Sequence, residues 1–310
     1  MSSVGTPLLW SLFVAFVLIA IAIDFFALNK QGAHKVSMRE ALIWSLIWVA
    51  ASAAFAGWLW WQLASSPDEA TRALANAKVL EFTAGYLIEK ALAVDNVFVF
   101  LMVFTYFSVP AEFQKRVLMM GILGAILLRA AMILVGAWMI ARFHWILYVF
   151  GAFLVFTGIK MWWAAGQEPD LESNPALRWL RRHMRVAPGY DGERLFTTVD
   201  GARLATPLAL VVLLIGIVDV VFAVDSIPAI FAITTDPFVV LTSNVFAILG
   251  LRALYFLLAG MYERFHLLSY GLAIVLLFIG TKMLLMDIYK IPVAVSLAVT
   301  AGILTISMLL

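Results

Sequence analysis

Glu89-Lys90-Ala91-Leu92-Ala93-Val94-Asp95-Asn96 and Asp219-Val220-Val221-Phe222-Ala223-Val224-Asp225-Ser226 decide how this chain folds. Both runs lie inside long apolar stretches. Each places an acid six residues before an aspartate, and each follows that aspartate with a small side chain bearing an oxygen. An ionised carboxylate near the centre of a bilayer costs ~2.5–3.5 kcal/mol on insertion scales. A chain that accepts this cost repeatedly, at one spacing, uses the oxygens, and the simplest use is a cation site in a membrane transporter.

The surrounding composition agrees. Hydrophobic residues make up 64% of the 310, against about 45–50% in soluble domains, and the mean hydropathy is +1.01. Roughly 20 apolar residues span a bilayer. Nine such stretches are expected, near Leu8–Leu28, Ala41–Leu63, Val79–Phe107, Val117–Ile140, Trp145–Trp163, Leu208–Ile233, Phe238–Met261, Leu267–Met286 and Pro292–Leu310. The expected fold is an all-α polytopic membrane protein with no separate soluble domain. The first stretch lacks a basic leader and a small-residue cleavage pattern, so it reads as a retained helix. With no cysteine in the chain, disulfides, iron–sulfur clusters and thiolate metal sites are excluded.

Basic residues in the connections set the expected orientation. Lys30, Lys35, Arg39, Lys115, Arg116, Arg178, Arg181, Arg182, Arg185, Arg194, Arg203 and Arg264 fall in the odd-numbered loops, whereas the even-numbered loops hold only Arg72, Lys78, Arg142 and Lys290. The odd loops are therefore expected to face the cytoplasm, with the N-terminus outside and the C-terminus inside a bacterial-type inner (plasma) membrane.

An internal repeat adds topology. Arg142-Phe143-His144 to Lys160-Met161 matches Arg264-Phe265-His266 to Lys282-Met283, with Tyr148/Tyr270, Leu154/Leu276, Phe156/Phe278 and Gly158/Gly280 also identical, all at an offset of 122. Arg129-Ala130 matches Arg252-Ala253, and Asp95 matches Asp225. Spans three to five then correspond to six to eight, and repeats of three spans insert with opposite topology. Inverted repeats that place a substrate site at their interface, on discontinuous helices, are a recurrent transporter plan. The expected organisation is one membrane domain: two leading helices in 1–78, a first repeat in 79–163, a basic cytoplasmic loop in 164–203, a second repeat in 204–290 and a last helix in 291–310. Within the loop, Pro175–Arg185 reads either as a basic amphipathic helix on the membrane surface or as a linker obeying the charge rule. Asp191–Asp200 reads as irregular.

Asp24, Glu89, Asp95, Asp219 and Asp225 are the acids inside spans, and Lys90, Arg129 and Arg252 are the bases at comparable depth. Five against three leaves two negative charges, which one divalent cation balances. Carboxylates, the Asn96 amide and the Ser226 hydroxyl are hard donors that suit Mg, Ca or Mn, while His34, His144, His183 and His266 fall in loops or at helix ends. Pro228 leaves the Val224 carbonyl without its helical amide partner, which makes either a backbone ligand beside Asp225 or a packing kink. Acids six residues apart stand ~9 Å apart along an intact helix, on different faces, so neither run can chelate an ion alone. Asp95 with Asp225, one from each repeat, is the expected ion pair of ligands, with Glu89 and Asp219 as a second layer or a proton-linked site. Arg129 and Arg252 are expected to pair with the acids when the ion is absent, and Lys90 to join them or snorkel to the interface. Asp24 is either a ligand on the ion's way in or an ordinary interfacial acid. Asn244 either donates an oxygen or caps its helix.

Three runs carry a family likeness: EKALAVDNVFVF over Glu89–Phe100, VDVVFAVDSIPAIFAITT over Val218–Thr235 and LTSNVFAILGLRA over Leu241–Ala253. They resemble the TerC family of integral membrane proteins. Gly5-Thr6-Pro7-Leu8-Leu9-Trp10 and the Arg-rich central loop look like its Alx-type members. The resemblance covers essentially the whole chain. It implies export of manganese from the cytoplasm, or metal loading of translocated proteins, with the acids of both motif helices as the ion route. The family's historical link to tellurium resistance implies no tellurium chemistry. Alx-type sequences often carry a glutamate where this chain has Gly216, which bears on affinity and selectivity.

The leading expectation is therefore export of a divalent cation, Mn²⁺ foremost and Ca²⁺ as the alternative, in exchange for protons. Mn²⁺ is then transported substrate rather than cofactor. The expected partners are the ion, protons and the lipid bilayer, with no nucleic acid. An intramembrane aspartyl protease would need a Gly-x-Gly-Asp motif that the chain lacks, so no enzyme is expected. A non-transporting scaffold tied to metal or tellurium stress would carry intramembrane carboxylates as a burden without benefit.

Overall fold

The structure, a computed structural model, describes residues 3–31, 36–165, 174–199, 201–259 and 267–309. Eleven helices are present among them: α1 (Pro7–Gln31), α2 (Met38–Ala64), α3 (Glu69–Tyr106), α4 (Ala111–Arg142), α5 (Ile146–Ala164), α6 (Pro175–His183), α7 (Pro207–Phe231), α8 (Pro237–Leu249), α9 (Leu251–Ala259), α10 (Leu268–Leu284) and α11 (Val293–Leu309). Two strands, β1 (Phe196–Val199) and β2 (Ala202–Ala205), lie between α6 and α7. The chain is a helical polytopic membrane protein. α2, α4, α5 and α7 are long and apolar enough to cross a membrane, and α8 with α9 makes a fifth such unit if the bent pair is one span. α1, α10 and α11 hold shorter apolar segments. α3, the longest helix at 38 residues, carries Glu89, Lys90 and Asp95 through its apolar part and so falls outside that group.

Local sequence accounts for the helix starts. The side chains of Ser37, Asp68, Asn174, Thr206 and Asp236 accept backbone amides of the first turns of α2, α3, α6, α7 and α8, satisfying donors that have no partner within the helix. Pro175, Pro207 and Pro237 open three of these helices, where a missing N–H costs nothing. α3 starts at Glu69, ten residues ahead of its apolar stretch, because Asp68 caps it with bonds from the Thr71 amide and hydroxyl. Those two bonds hold the Asp68 carboxyl below its usual range.

Two expectations need correction. The stretch Phe238–Met261 is not one helix: α8 and α9 meet at a 42° bend around Gly250. A bend at this depth orphans carbonyls that need a donor, and Lys90 of α3 supplies one, its Nζ donating to the Ala247 carbonyl at 3.2 Å. A positive charge at a helix C-terminus is also favoured by the backbone dipole. A Cβ on residue 250 would fall 2.5 Å from the Lys90 Nζ and 3.2 Å from the Trp48 Cβ, so a side chain there would displace the amine from its carbonyl. The second correction concerns Asp191–Asp200. It is not irregular throughout: β1 pairs antiparallel with β2, Phe196 opposite Ala205 and Val199 opposite Ala202, and Gly201 takes the positive φ, +77°, that the turn needs. Asp200 itself lies outside the described residues.

α6 ends at His183, short of Arg185, with Leu177 and Leu180 buried and Trp179 exposed. The segment docks on the turn between α3 and α4. Tyr190 donates to the Phe107 carbonyl (2.7 Å), Arg181 to the Tyr106 hydroxyl (3.1 Å), and Arg116 pairs with Glu193 (2.6 Å). His144 sits in the turn between α4 and α5. His34, Arg264 and His266 lie outside the described residues.

In the core, α3 packs against α2, α7, α8 and α9, while α4 packs against α7 and α8. Every residue of α8 from Phe238 to Leu249 is buried. α5 and α10 approach backbone to backbone. A Cβ on Gly158 would sit 3.0 Å from the Ala273 carbonyl, and one on Gly280 would sit 2.8 Å from the Gly151 carbonyl and 2.8 Å from the Val155 amide. Tyr148 of α5 donates to Asp287, and Tyr270 of α10 donates to the Ala165 carbonyl (3.2 Å). Gly280→Ala therefore pushes two helices apart and is expected to destabilise by about 1–3 kcal/mol, the usual cost of overpacking. Gly216→Ala, with open space within 4 Å, is expected not to. Tm of the two purified variants in detergent compares them directly.

Candidate cation site

Each of the two sequence runs that open the reading sits in a helix buried at the centre of the bundle, so their acids meet across helices rather than along them. Asp95 of α3 accepts from the Ser269 hydroxyl of α10 at 3.3 Å. Asp225 of α7 accepts from the Thr157 hydroxyl of α5 at 3.0 Å. Asp95, Asn96, Asp225 and Ser226 line one cavity of about 190 Å³ together with Thr157 and Lys160. Neutral hydroxyl donors leave both carboxylates able to accept a cation, whereas a bidentate arginine would have occupied them.

Beside this cavity lies a second polar centre. Arg129 of α4, 1% exposed, forms an ion pair with Glu89 and a second with Asp219, Nη2 to Oδ1 at 3.0 Å with Nε to Oδ2 at 3.4 Å. Its Nη1 also donates to the Ser226 hydroxyl at 3.1 Å. The Asn244 amide donates to Glu89 at 3.0 Å, and its Oδ1 is buried without a partner. Two carboxylates around one guanidinium leave a net negative charge where water is excluded. The attraction within such a cluster repays its desolvation only where the geometry is good and further hydrogen bonds support it, as those of Asn244 and Ser226 do here. Ser226 belongs to both centres: it lines the cavity and holds Arg129.

Other residues singled out from sequence are placed differently. Lys90 joins neither centre and serves the α8 end instead. Asn244 lies in the middle of α8, where Asp236 is the cap. α7 does not break at Pro228: the proline sits in its last turn, and the helix runs on to Phe231. The Val224 carbonyl thus lacks its i+4 amide while the helix stays continuous, and the Val224 side chain is exposed. Arg252 is buried in the first turn of α9. Asp24 lies in α1, with its side chain outside the described residues. Among the described residues no three His, Cys, Asp or Glu side chains converge closely enough to hold a metal ion. Two aspartates with amide and hydroxyl oxygens are what the cavity offers.

Thr157, Ser269 and Lys160 were not singled out by sequence reading. The repeat identity of Lys160 with Lys282 was the signal available for the third. Asp236 was also passed over as a turn residue. It is 3% exposed and accepts from Ser3 (2.7 Å), the Val4 amide (2.9 Å) and the Phe238 amide (3.0 Å), with Lys78 at 3.7 Å.

Together these features define an integral membrane protein built around buried ionisable side chains. Residues 74–310 match the model described as "Integral membrane protein TerC family", and the chain belongs to that family. It is 56% identical over 310 residues to the Escherichia coli (strain K12) protein named "Putative membrane-bound redox modulator Alx", covering 100% of this chain and 96% of that one. The Photorhabdus laumondii protein of the same name is 51% identical over 310 residues, covering 100% of this chain and 96% of the relative. An uncharacterized membrane protein of Myxococcus xanthus is 47% identical over 302 residues, 97% of this chain and 91% of the relative. No solved structure matches the chain.

Proposed function

We propose that the chain exports a divalent cation, Mn²⁺ foremost, from the cytoplasm in exchange for protons, through carboxylates at the interface of two inverted three-helix repeats. The observation that carries this reading is the meeting of Asp95 and Asp225, one from each motif run, on a single cavity with the oxygens of Asn96 and Ser226. Hard oxygen ligation suits Mn²⁺, Ca²⁺ and Mg²⁺ alike, and the family resemblance puts Mn²⁺ first. The Arg129 centre supplies titratable acids for proton coupling and balances charge while no ion is bound.

The repeat reading is supported by contacts that come in pairs offset by 122. Gly158 meets Ala273 and Gly280 meets Gly151; Tyr148 bonds Asp287 and Tyr270 bonds Ala165. Each partner in one contact maps onto its counterpart in the other, the signature of a two-fold relation. In this reading the nine apolar stretches are nine crossings, the N-terminus is outside and the segment carrying α6 and the hairpin is cytoplasmic. The redox role in the name of the Escherichia coli relative would, for this chain, have to run without thiols of its own, since it holds no cysteine. Altered metal supply is one route to such an effect.

Purified chain in liposomes tests the proposal. Internal Mn²⁺, read by a trapped fluorescent chelator, is expected to change faster than in empty liposomes, and faster again when a pH gradient opposes it. A rate equal to that of empty liposomes sinks the exporter reading, and a rate indifferent to the gradient replaces exchange by uniport.

A further inference from the structure

A second cavity, of about 280 Å³, opens at the end of the bundle where α7 finishes and α10 ends. Lys78, Glu81, Thr234, Thr235 and Lys282 are its polar lining. Two lysines and one glutamate line it, and its charges are unequally satisfied. Lys78 donates to Glu81 at 2.8 Å, the two side chains only 13% and 14% exposed, and stands 3.7 Å from Asp236. Lys78 thus has a carboxylate on two sides, Asp236 also accepting from Ser3, Val4 and Phe238. Lys282, half-buried, forms no ion pair or hydrogen bond with any described residue.

The contrast with Lys160, its counterpart at an offset of 122, sharpens the point. Lys160 lines the cavity that holds two carboxylates, Asp95 and Asp225. Lys282 faces a cavity whose single carboxylate is already paired. We propose that this cavity is an anion site that takes a phosphate group, with Lys282 as its principal cation, Lys78 beside it and the threonine hydroxyls as donors. Thr234 accepts from the Asp236 amide at 3.2 Å, which leaves its own proton to give. Lysine binds phosphate as a point charge without demanding a planar fork, and a cavity of about 280 Å³ has room for a phosphate, free or borne on a headgroup. Lys282 lies two residues from the end of α10, so both a phospholipid headgroup and free phosphate can reach it.

Full-length chain in detergent, titrated with inorganic phosphate by calorimetry and with dioleoylphosphatidylglycerol by native mass spectrometry, tests the site. Saturable binding of either probe is expected; lipid alone identifies a headgroup site, and phosphate alone a free-anion site. Lys282→Gln is expected to weaken binding at least about tenfold, the effect of removing one charged partner. Lys290→Gln, which removes an exposed charge near the same end, is expected to leave binding unchanged. Glu81→Gln should tighten it, opposite to its effect on a cation site, and keeps the test decisive if Lys282→Gln does not fold. Binding of neither probe, equal losses in Lys282→Gln and Lys290→Gln, or weakening by Glu81→Gln overturns the proposal. None of these readouts depends on cation transport.

Discussion

Liposomes carrying Asp95→Asn or Asp225→Asn are expected to move Mn²⁺ at least about 100-fold more slowly than those carrying the parent chain. Outer-shell partners of a metal alone cost ~10–100-fold when lost, and among the described residues each of these aspartates is one of two carboxylates on the cavity. Asparagine keeps the shape and an oxygen acceptor, so Thr157 and Ser269 retain their bonds and the fold is expected to survive. The charge alone is removed. Variants with parental Tm and parental flux would refute the cavity as the ion's station. The pair also separates a shared site from two independent ones. If both aspartates grip one ion, the double variant is no slower than either single one.

The second large effect is on stability. Arg129→Met leaves Glu89 and Asp219 buried beside each other, 1% and 3% exposed, with no cation between them. Breaking a buried pair in this way costs about 3–5 kcal/mol, because the surviving charge stays out of water. A steep fall in Tm, measured in metal-free buffer, is the expected result. Adding Glu89→Gln and Asp219→Asn to Arg129→Met should recover most of the loss, since the triple variant buries hydrogen-bonding groups without charge. Unchanged Tm in Arg129→Met, or no recovery in the triple variant, would show that charge compensation is not what holds this centre.

Much of this was legible in the sequence for a simple reason. Apolar stretches long enough to span a bilayer announce themselves by composition, and each of the nine falls on a helix, one of them split. Acids stand out against that background, so Glu89, Asp95, Asp219 and Asp225 could be named in advance, whereas the hydroxyls of Thr157 and Ser269 that bond the aspartates could not. What the sequence hid were relations between distant side chains. The bend at Gly250 lies in an unbroken apolar run, and the amine that makes it tolerable comes from Lys90, 157 positions from the carbonyl it serves. Arg129 looks like Arg252 in sequence, and nothing there says that Glu89, Asp219 and Ser226 are the groups it meets. The hairpin of β1 and β2 was missed because four-residue strands in a polar segment carry too few side chains for alternation to show.

The Ser226 hydroxyl has a single oxygen and two neighbourhoods. It accepts a hydrogen bond from Arg129 while lining the cavity that holds Asp95 and Asp225. A cation seated on that oxygen withdraws electron density from it and weakens its hold on the guanidinium. By thermodynamic reciprocity, protonating Glu89 or Asp219 then alters how firmly the neighbouring ion is retained. Under the proposed exchange, a shared atom of this kind would tie proton release to ion capture without any large rearrangement.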